Sequence, residues 1–87
     1  MEVRREEKAM DGTYMFYYEA APYNDYWQIR ELDPRDRVSN PGRYRRVVAR
    51  RRSGRQAQEL VALIMAKGTQ AERDAVIEAA QDANWPK

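Results

Sequence analysis

Between Arg43 and Arg55 the stretch RYRRVVARRRSGR places seven arginines, Arg43, Arg45, Arg46, Arg50, Arg51, Arg52 and Arg55, with no acid among them. A guanidinium is charged at every pH a protein meets and presents planar, forked N–H donors. Such a row therefore recognises carboxylate or phosphate rather than making bonds. Charge also keeps edge strands soluble, but seven arginines exceed what that requires. A second, opposite cluster lies at helical spacing, where Asp74, Glu78 and Asp82 stand at i, i+4 and i+8. It reads as a solvated helix face or, more sharply, as a lure for a basic groove on another protein.

Residue sets for catalysis are missing. The chain has no histidine and no cysteine, which removes the usual zinc sets, the Ser-His-Asp triad and imidazole acid–base chemistry. Glu6-Glu7 and Asp33/Asp36 sit in polar surroundings with no sign of a pocket that would raise a carboxyl pKa. The four glycines, at 12, 42, 54 and 68, are scattered over turns and helix ends, so no phosphate loop is present. We expect a binding protein and not an enzyme, with no cofactor and no metal.

Several elements must position the arginines. Val47, Val48 and Ala49 give their stretch strand character, and alternation puts Tyr44, Arg46, Val48, Arg50 and Arg52 on one face, with Arg45, Val47, Ala49 and Arg51 on the other. Neither face is cleanly apolar, which fits an edge strand or a solvated ribbon better than a central strand. Upstream, Thr13 to Ala21 reads as strand one, with Tyr14, Phe16 and Tyr18 on one face and Met15 and Tyr17 on the other. Pro22 to Asp25 reads as a turn, and Tyr26 to Leu32 returns as strand two, with Trp27 and Ile29 inward and Tyr26, Gln28 and Arg30 away. These aromatics could stack bases, but a small domain also needs them for its core, and that is the reading preferred here. Asp33 to Gly42, with two prolines and a glycine, reads as a loop.

Downstream, Ser53-Gly54-Arg55-Gln56 and Thr69-Gln70-Ala71-Glu72 have the form of capping boxes. The first opens a helix to about residue 67, ended by a left-handed Gly68. The second opens a helix to about residue 84, with Ala71, Ala75, Val76, Ala79 and Ala83 as a small-residue stripe and Trp85 as a terminal plug. Trp27, Ile29, Leu60, Val61 and Ile64 should form the core. The fold class expected is α+β, a three-stranded antiparallel meander packed on two C-terminal helices (β-β-β-α-α), over residues 11–87, with a charged arm at residues 1–10.

The formal net charge of +2 hides segregation: −3 over residues 1–29, +7 over residues 30–55 and −2 over residues 56–87. The middle attracts anions. No disulfide is possible, the N-terminal segment has no apolar run, and the longest apolar run, Leu60 to Ala66, is too short to span a bilayer. We expect a soluble, cytoplasmic protein without membrane contact.

Two resemblances follow. VVARRRSGRQAQELVALIMAKGTQAERDAVIEAA, with its short Lys67-Gly68-Thr69-Gln70 junction, resembles the ribbon-helix-helix family of dimeric DNA-binding proteins over roughly residues 44 to 83. That resemblance implies a homodimer and a transcriptional regulator, with Arg46, Arg50 and Arg52, or the opposite row, in the major groove and the helix start near Thr69 at a phosphate. The chain departs from the family in carrying an aromatic hairpin before the strand. As a whole, by size and by its WQIREL…YRRVVARRRS…AQELVALI pattern, it also resembles small phage and mobile-element accessory proteins, including anti-CRISPR inhibitors of type I effector complexes. That resemblance implies stoichiometric binding to a host complex, a CRISPR effector, that blocks nucleic-acid access, in the host cytoplasm if the chain is phage-encoded. It is the reading placed first, with the DNA-binding regulator as the alternative.

Overall fold

The computed structural model describes residues 14–81, with only the backbone described at residues 37 and 38. The arm expected at residues 1–10, and Asp82, Ala83 and Trp85, lie outside the described residues. The elements run β1 (Tyr17–Tyr23), β2 (Tyr26–Leu32), α1 (Asp36–Ser39), β3 (Arg46–Arg51), α2 (Gly54–Met65) and α3 (Gln70–Ala79). One antiparallel sheet holds the strands in the order β1-β2-β3, and two helices follow it, the expected α+β arrangement. The short α1 interrupts what reads as an irregular loop.

Local chemistry explains most boundaries. The β1–β2 turn is only Asn24 and Asp25, with Asn24 at φ 56, a left-handed conformation that Asn tolerates. Pro22 and Tyr23, expected in the turn, are strand residues. Because β1 is an edge strand, the N–H that Pro22 lacks leaves the sheet intact. Both expected caps form: the Ser53 hydroxyl accepts from the Gln56 amide at 3.1 Å, and the Thr69 hydroxyl accepts from the Glu72 amide at 3.1 Å.

The end of α2 differs from expectation. Gly42 is the only glycine of the described residues with positive φ, so Gly68 does not close the helix by a left-handed turn. Arg73 of α3 does part of that work, donating from Nη2 to the Met65 carbonyl at 3.2 Å and from Nε to the Lys67 carbonyl at 3.0 Å. The Met65 carbonyl is among those a helix terminus leaves without partners, and Lys67 follows the cap. Its Nη1 also donates to the Phe16 carbonyl at 2.6 Å, tying α2, α3 and the approach to β1 together.

The core sits between α2 and the sheet. Ile29, Ala57 and Ile64 are fully enclosed, Leu60 is nearly so, and Tyr18, Val48, Ala49 and Ile77 complete the cluster. Trp27 and Val61 pack at its margin, half-buried. Trp27 explains Gly54: a Cβ there would stand 2.9 Å from the indole. The alanine stripe expected to bury α3 does not, since Ala71, Ala75 and Ala79 are exposed and the helix turns Arg73 and Ile77 inward. Ile77 offers far more apolar area than alanine, so it decides which face packs.

Candidate functional site

Three strands set the arginines' directions, and a bulge divides them. Trp27 pairs with Arg51, Gln28 with Arg50, Ile29 with Ala49, Arg30 with Val47 and Glu31 with Arg46, so Val48 is the extra residue. Two bulge residues face one residue of the neighbouring strand, and side-chain alternation resets there. Arg46, Ala49 and Arg51 therefore share the helix-side face with Trp27, Ile29 and Glu31, while Val47 and Arg50 share the outer face with Gln28 and Arg30. The row expected to unite Arg46 with Arg50 does not exist. The bulge instead lets Val48 and Ala49 both reach the core.

Alternation along β2 puts Glu31 on the same side as Trp27 and Ile29, and its carboxylate is 1% exposed. A buried carboxylate survives only if its oxygens are satisfied. Oε1 accepts from Arg45 Nη1 at 2.5 Å and from Arg46 Nε at 2.9 Å, and Oε2 accepts from the Tyr18 hydroxyl at 2.7 Å and from Arg46 Nη2 at 3.3 Å. Burial pushes the Glu31 pKa up, but the hydrogen bonds from Arg46, Tyr18 and Arg45 outweigh it and hold the carboxyl below its ordinary range. The same contacts raise Arg46, while burial and the Glu31 carboxylate raise Tyr18. A carboxylate has about four acceptor positions, and all are filled here, so Glu31 has none left for a proton-transfer partner or a ligand. It is an anchor for two arginines.

These two cations line a groove. Phe16, Glu31, Arg43, Arg45, Arg46 and Asp74 enclose an open volume of about 550 Å³. Arg45 is fixed on a second side by the Phe16 ring, with 4.1 Å from guanidinium carbon to ring centroid. Its side chain is 44% exposed and that of Arg46 55%, so both keep N–H donors at the surface. Arg43 stands on the same wall, and among the described residues its side chain has no hydrogen-bonding or ionic partner. Opposite them Gln70 Nε2 donates to Asp74 Oδ1 at 2.9 Å and to the Tyr18 hydroxyl at 2.8 Å, which connects the acidic wall to the Glu31 cluster.

The other predicted residues scatter. Arg51 is used internally, with Nη2 on the Ala80 carbonyl at 2.9 Å and Nη1 on the Arg50 carbonyl at 2.5 Å. Arg50 lies half-buried on the outer face, near the cation–π pair in which Arg30 covers Tyr44 at 4.5 Å. Arg52 is exposed and engaged in contacts of its own. Arg55 pairs along α2 with Glu59 at 3.3 Å, in water. Glu78 is exposed one turn beyond Asp74, and Asp82 lies outside the described residues. The aromatics of β1 divide, Tyr18 entering the core and Tyr17 taking the opposite face.

Sequence reasoning put Tyr18 on a strand face and Gln70 in a helix cap, but gave neither of them, nor Glu31 or Arg73, a part in this site. One signal was legible: a strand that turns Trp27 and Ile29 inward must turn Glu31 inward too, and an inward carboxylate needs cations. Beside the groove lies a smaller cluster, where Asp33 accepts from Arg35 at 2.7 Å and from the Tyr14 hydroxyl; Arg35 keeps the Asp33 carboxyl well below the usual range. Among the described residues no helix is long and apolar enough to cross a membrane, and no three His, Cys, Asp or Glu are grouped to hold a metal ion. Comparison of the chain with protein-family models, with curated proteins and with solved structures finds no match in any of the three.

Proposed function

We propose that the protein acts by binding and not by catalysis, as a stoichiometric inhibitor that docks its arginine-lined groove on a host nucleic-acid-handling complex and blocks nucleic-acid access. The resemblance to anti-CRISPR proteins makes a type I CRISPR effector the first complex to try. The observation that carries the reading is the anchoring of Arg45 and Arg46 by the saturated Glu31. Long cationic side chains lose conformational freedom when they bind, and a fork already held by a carboxylate has less to lose.

The DNA-binding alternative asks β3 to pair with its counterpart in a second copy. Its free edge is partly occupied within the chain, since Gln81 donates to the Val48 carbonyl at 2.8 Å and Arg51 to the Arg50 carbonyl. On this ground we keep the inhibitor as the first reading and the homodimeric regulator as the second.

The test is whether the protein forms a complex with a purified type I effector and reduces its binding to target DNA, with nuclease treatment and raised salt as controls. Arg43→Ala/Arg45→Ala, both on the groove, and Asp74→Ala/Glu78→Ala, each checked for folding, then compare the two charged clusters. The reading expects the arginine pair to lose more. A saturable nanomolar complex with one DNA duplex at physiological salt, its affinity falling steeply as salt rises, would reverse the order of the two readings.

A further inference from the structure

The groove is charged in two ways, and its two walls do not match. Arg43, Arg45 and Arg46 come from the loop before β3 and from β3 itself, and Asp74 comes from the first turns of α3. The wall holds three guanidiniums against one buried carboxylate: Glu31 is satisfied, Arg45 also lies against the Phe16 ring, Arg46 is attracted by Asp74 as well, and the side chain of Arg43 has no partner among the described residues. Asp74 supplies the groove's exposed negative charge; it accepts from Gln70, and its attraction for Arg46 leaves two further guanidiniums on the arginine wall. The two candidate clusters that look independent in the sequence, the arginine row and the acidic helix stripe, meet here.

We propose that this groove is a bipolar docking site for a protein segment that presents a carboxylate side chain to Arg43, Arg45 and Arg46 and a lysine or arginine to Asp74. The proposal rests on the binding reading above and narrows its partner to protein. A nucleic-acid backbone carries a charge at every step and would meet Asp74 wherever it followed the groove, so this wall disfavours it. A single carboxylate is planar, matches the guanidinium fork in a bidentate way, and leaves the neighbouring position free for a cation. Charge complementarity of this two-signed kind fixes register and rejects partners of one sign.

The site can be tested on the isolated protein without knowing its partner. NMR of the ¹⁵N-labelled chain at fixed ionic strength follows the Nε–H signals of Arg43, Arg45 and Arg46 and the backbone amides around Asp74. The probes are acetate, inorganic phosphate, a short thymidine oligonucleotide and acetyl-Glu-Lys-amide. Acetate should shift the arginine signals alone. The dipeptide should shift both walls and bind about two- to fivefold tighter than acetate, the range an exposed ion pair adds. Asp74→Asn keeps an acceptor for Gln70 and removes the charge, and it should bring the dipeptide down to acetate's affinity.

Three outcomes would overturn the proposal: phosphate or the oligonucleotide saturating the arginine signals before acetate does, an unchanged dipeptide affinity in Asp74→Asn, or no arginine shift with any probe. If the probes behave as expected while the effector complex is not bound, the groove stands and only the choice of host complex is wrong.

Discussion

Under the middle of α2 the inner sheet face is closed by Ile29, Leu60 and Ile64, whereas further along the same strand it is closed by Glu31, Tyr18, Arg45 and Arg46. The apolar region asks only for volume and area, and many similar side chains satisfy it. The polar region asks for matched partners, because Glu31 is buried and each donor removed leaves one of its acceptor positions unfilled. Burial is nearly the same in the two regions, with Ile29 at 0% and Glu31 at 1% exposure. What differs is how each fails, and that the polar region also supplies the outward guanidiniums.

The comparison is broken most sharply at Glu31. Glu31→Ala leaves Arg45, Arg46 and the Tyr18 hydroxyl without their shared acceptor, and breaking a buried pair costs about 3–5 kcal/mol. The lower end applies, because both guanidiniums are half in water and can rehydrate, while Tyr18 keeps its bond from Gln70. Denaturant unfolding of the variant measures the loss. A midpoint equal to that of the unaltered chain would mean that the arginines are not anchored, and the preorganised groove would lose its basis.

In the apolar half, Leu60→Ala should cost about 2–5 kcal/mol through lost burial and the cavity left behind. The two substitutions also differ in pH response. Leu60→Ala should lower stability equally at neutral and mildly acid pH, and a melting temperature indifferent to that substitution would refute the packing of α2 on the sheet.

Acid then separates the halves in the unaltered chain. Glu31 and Asp33 both have folded pKa values below their ordinary values of 4.5 and 3.8. A depressed carboxyl binds its proton less readily when folded, so its stabilisation is complete above the ordinary value and is lost as pH falls through the folded value. Stability should therefore be nearly flat from neutral pH down to about pH 5 and decline below it. Glu31→Gln should begin less stable and decline less. An equally steep acid limb in that variant would assign the loss to Asp33, whose partner Arg35 lies on the surface.

Which of this was legible follows from the range over which each signal acts. The caps at Ser53 and Thr69 and the strand at Tyr26–Leu32 depend on a few adjacent residues, and sequence patterns report such local chemistry. The faces of β3 were misread because alternation assumes an unbroken ladder. A bulge depends on how β3 meets β2, which residues 46–51 alone do not encode. Arg73 was missed for a similar reason. In sequence it is one charge on a helix, and only the fold brings the carbonyls of Phe16, Met65 and Lys67 within its reach. The arginine cluster was visible as a cluster. Its division into anchored, internal and outward members was not, because that division depends on Glu31 and Ala80, both distant in the chain.

Arg55 gives the smallest expected effect and the cleanest control for the polar half. It bonds Glu59 one turn along α2, as Arg46 bonds Glu31 across strands, but the two side chains are 88% and 63% exposed. In water the attraction between such charges is weak and screened by salt, and ordering two long side chains offsets much of it, so i,i+4 pairs of this kind contribute about 0.3–0.5 kcal/mol. Arg55→Ala should therefore change the unfolding midpoint by little more than experimental scatter, and the small difference should vanish at high salt. Arginine alone would then not be what stabilises this chain; a buried carboxylate to hold it would be. A loss as large as that of Glu31→Ala would show that exposed pairs matter here as much as the buried one, and the contrast between the two kinds of arginine would collapse.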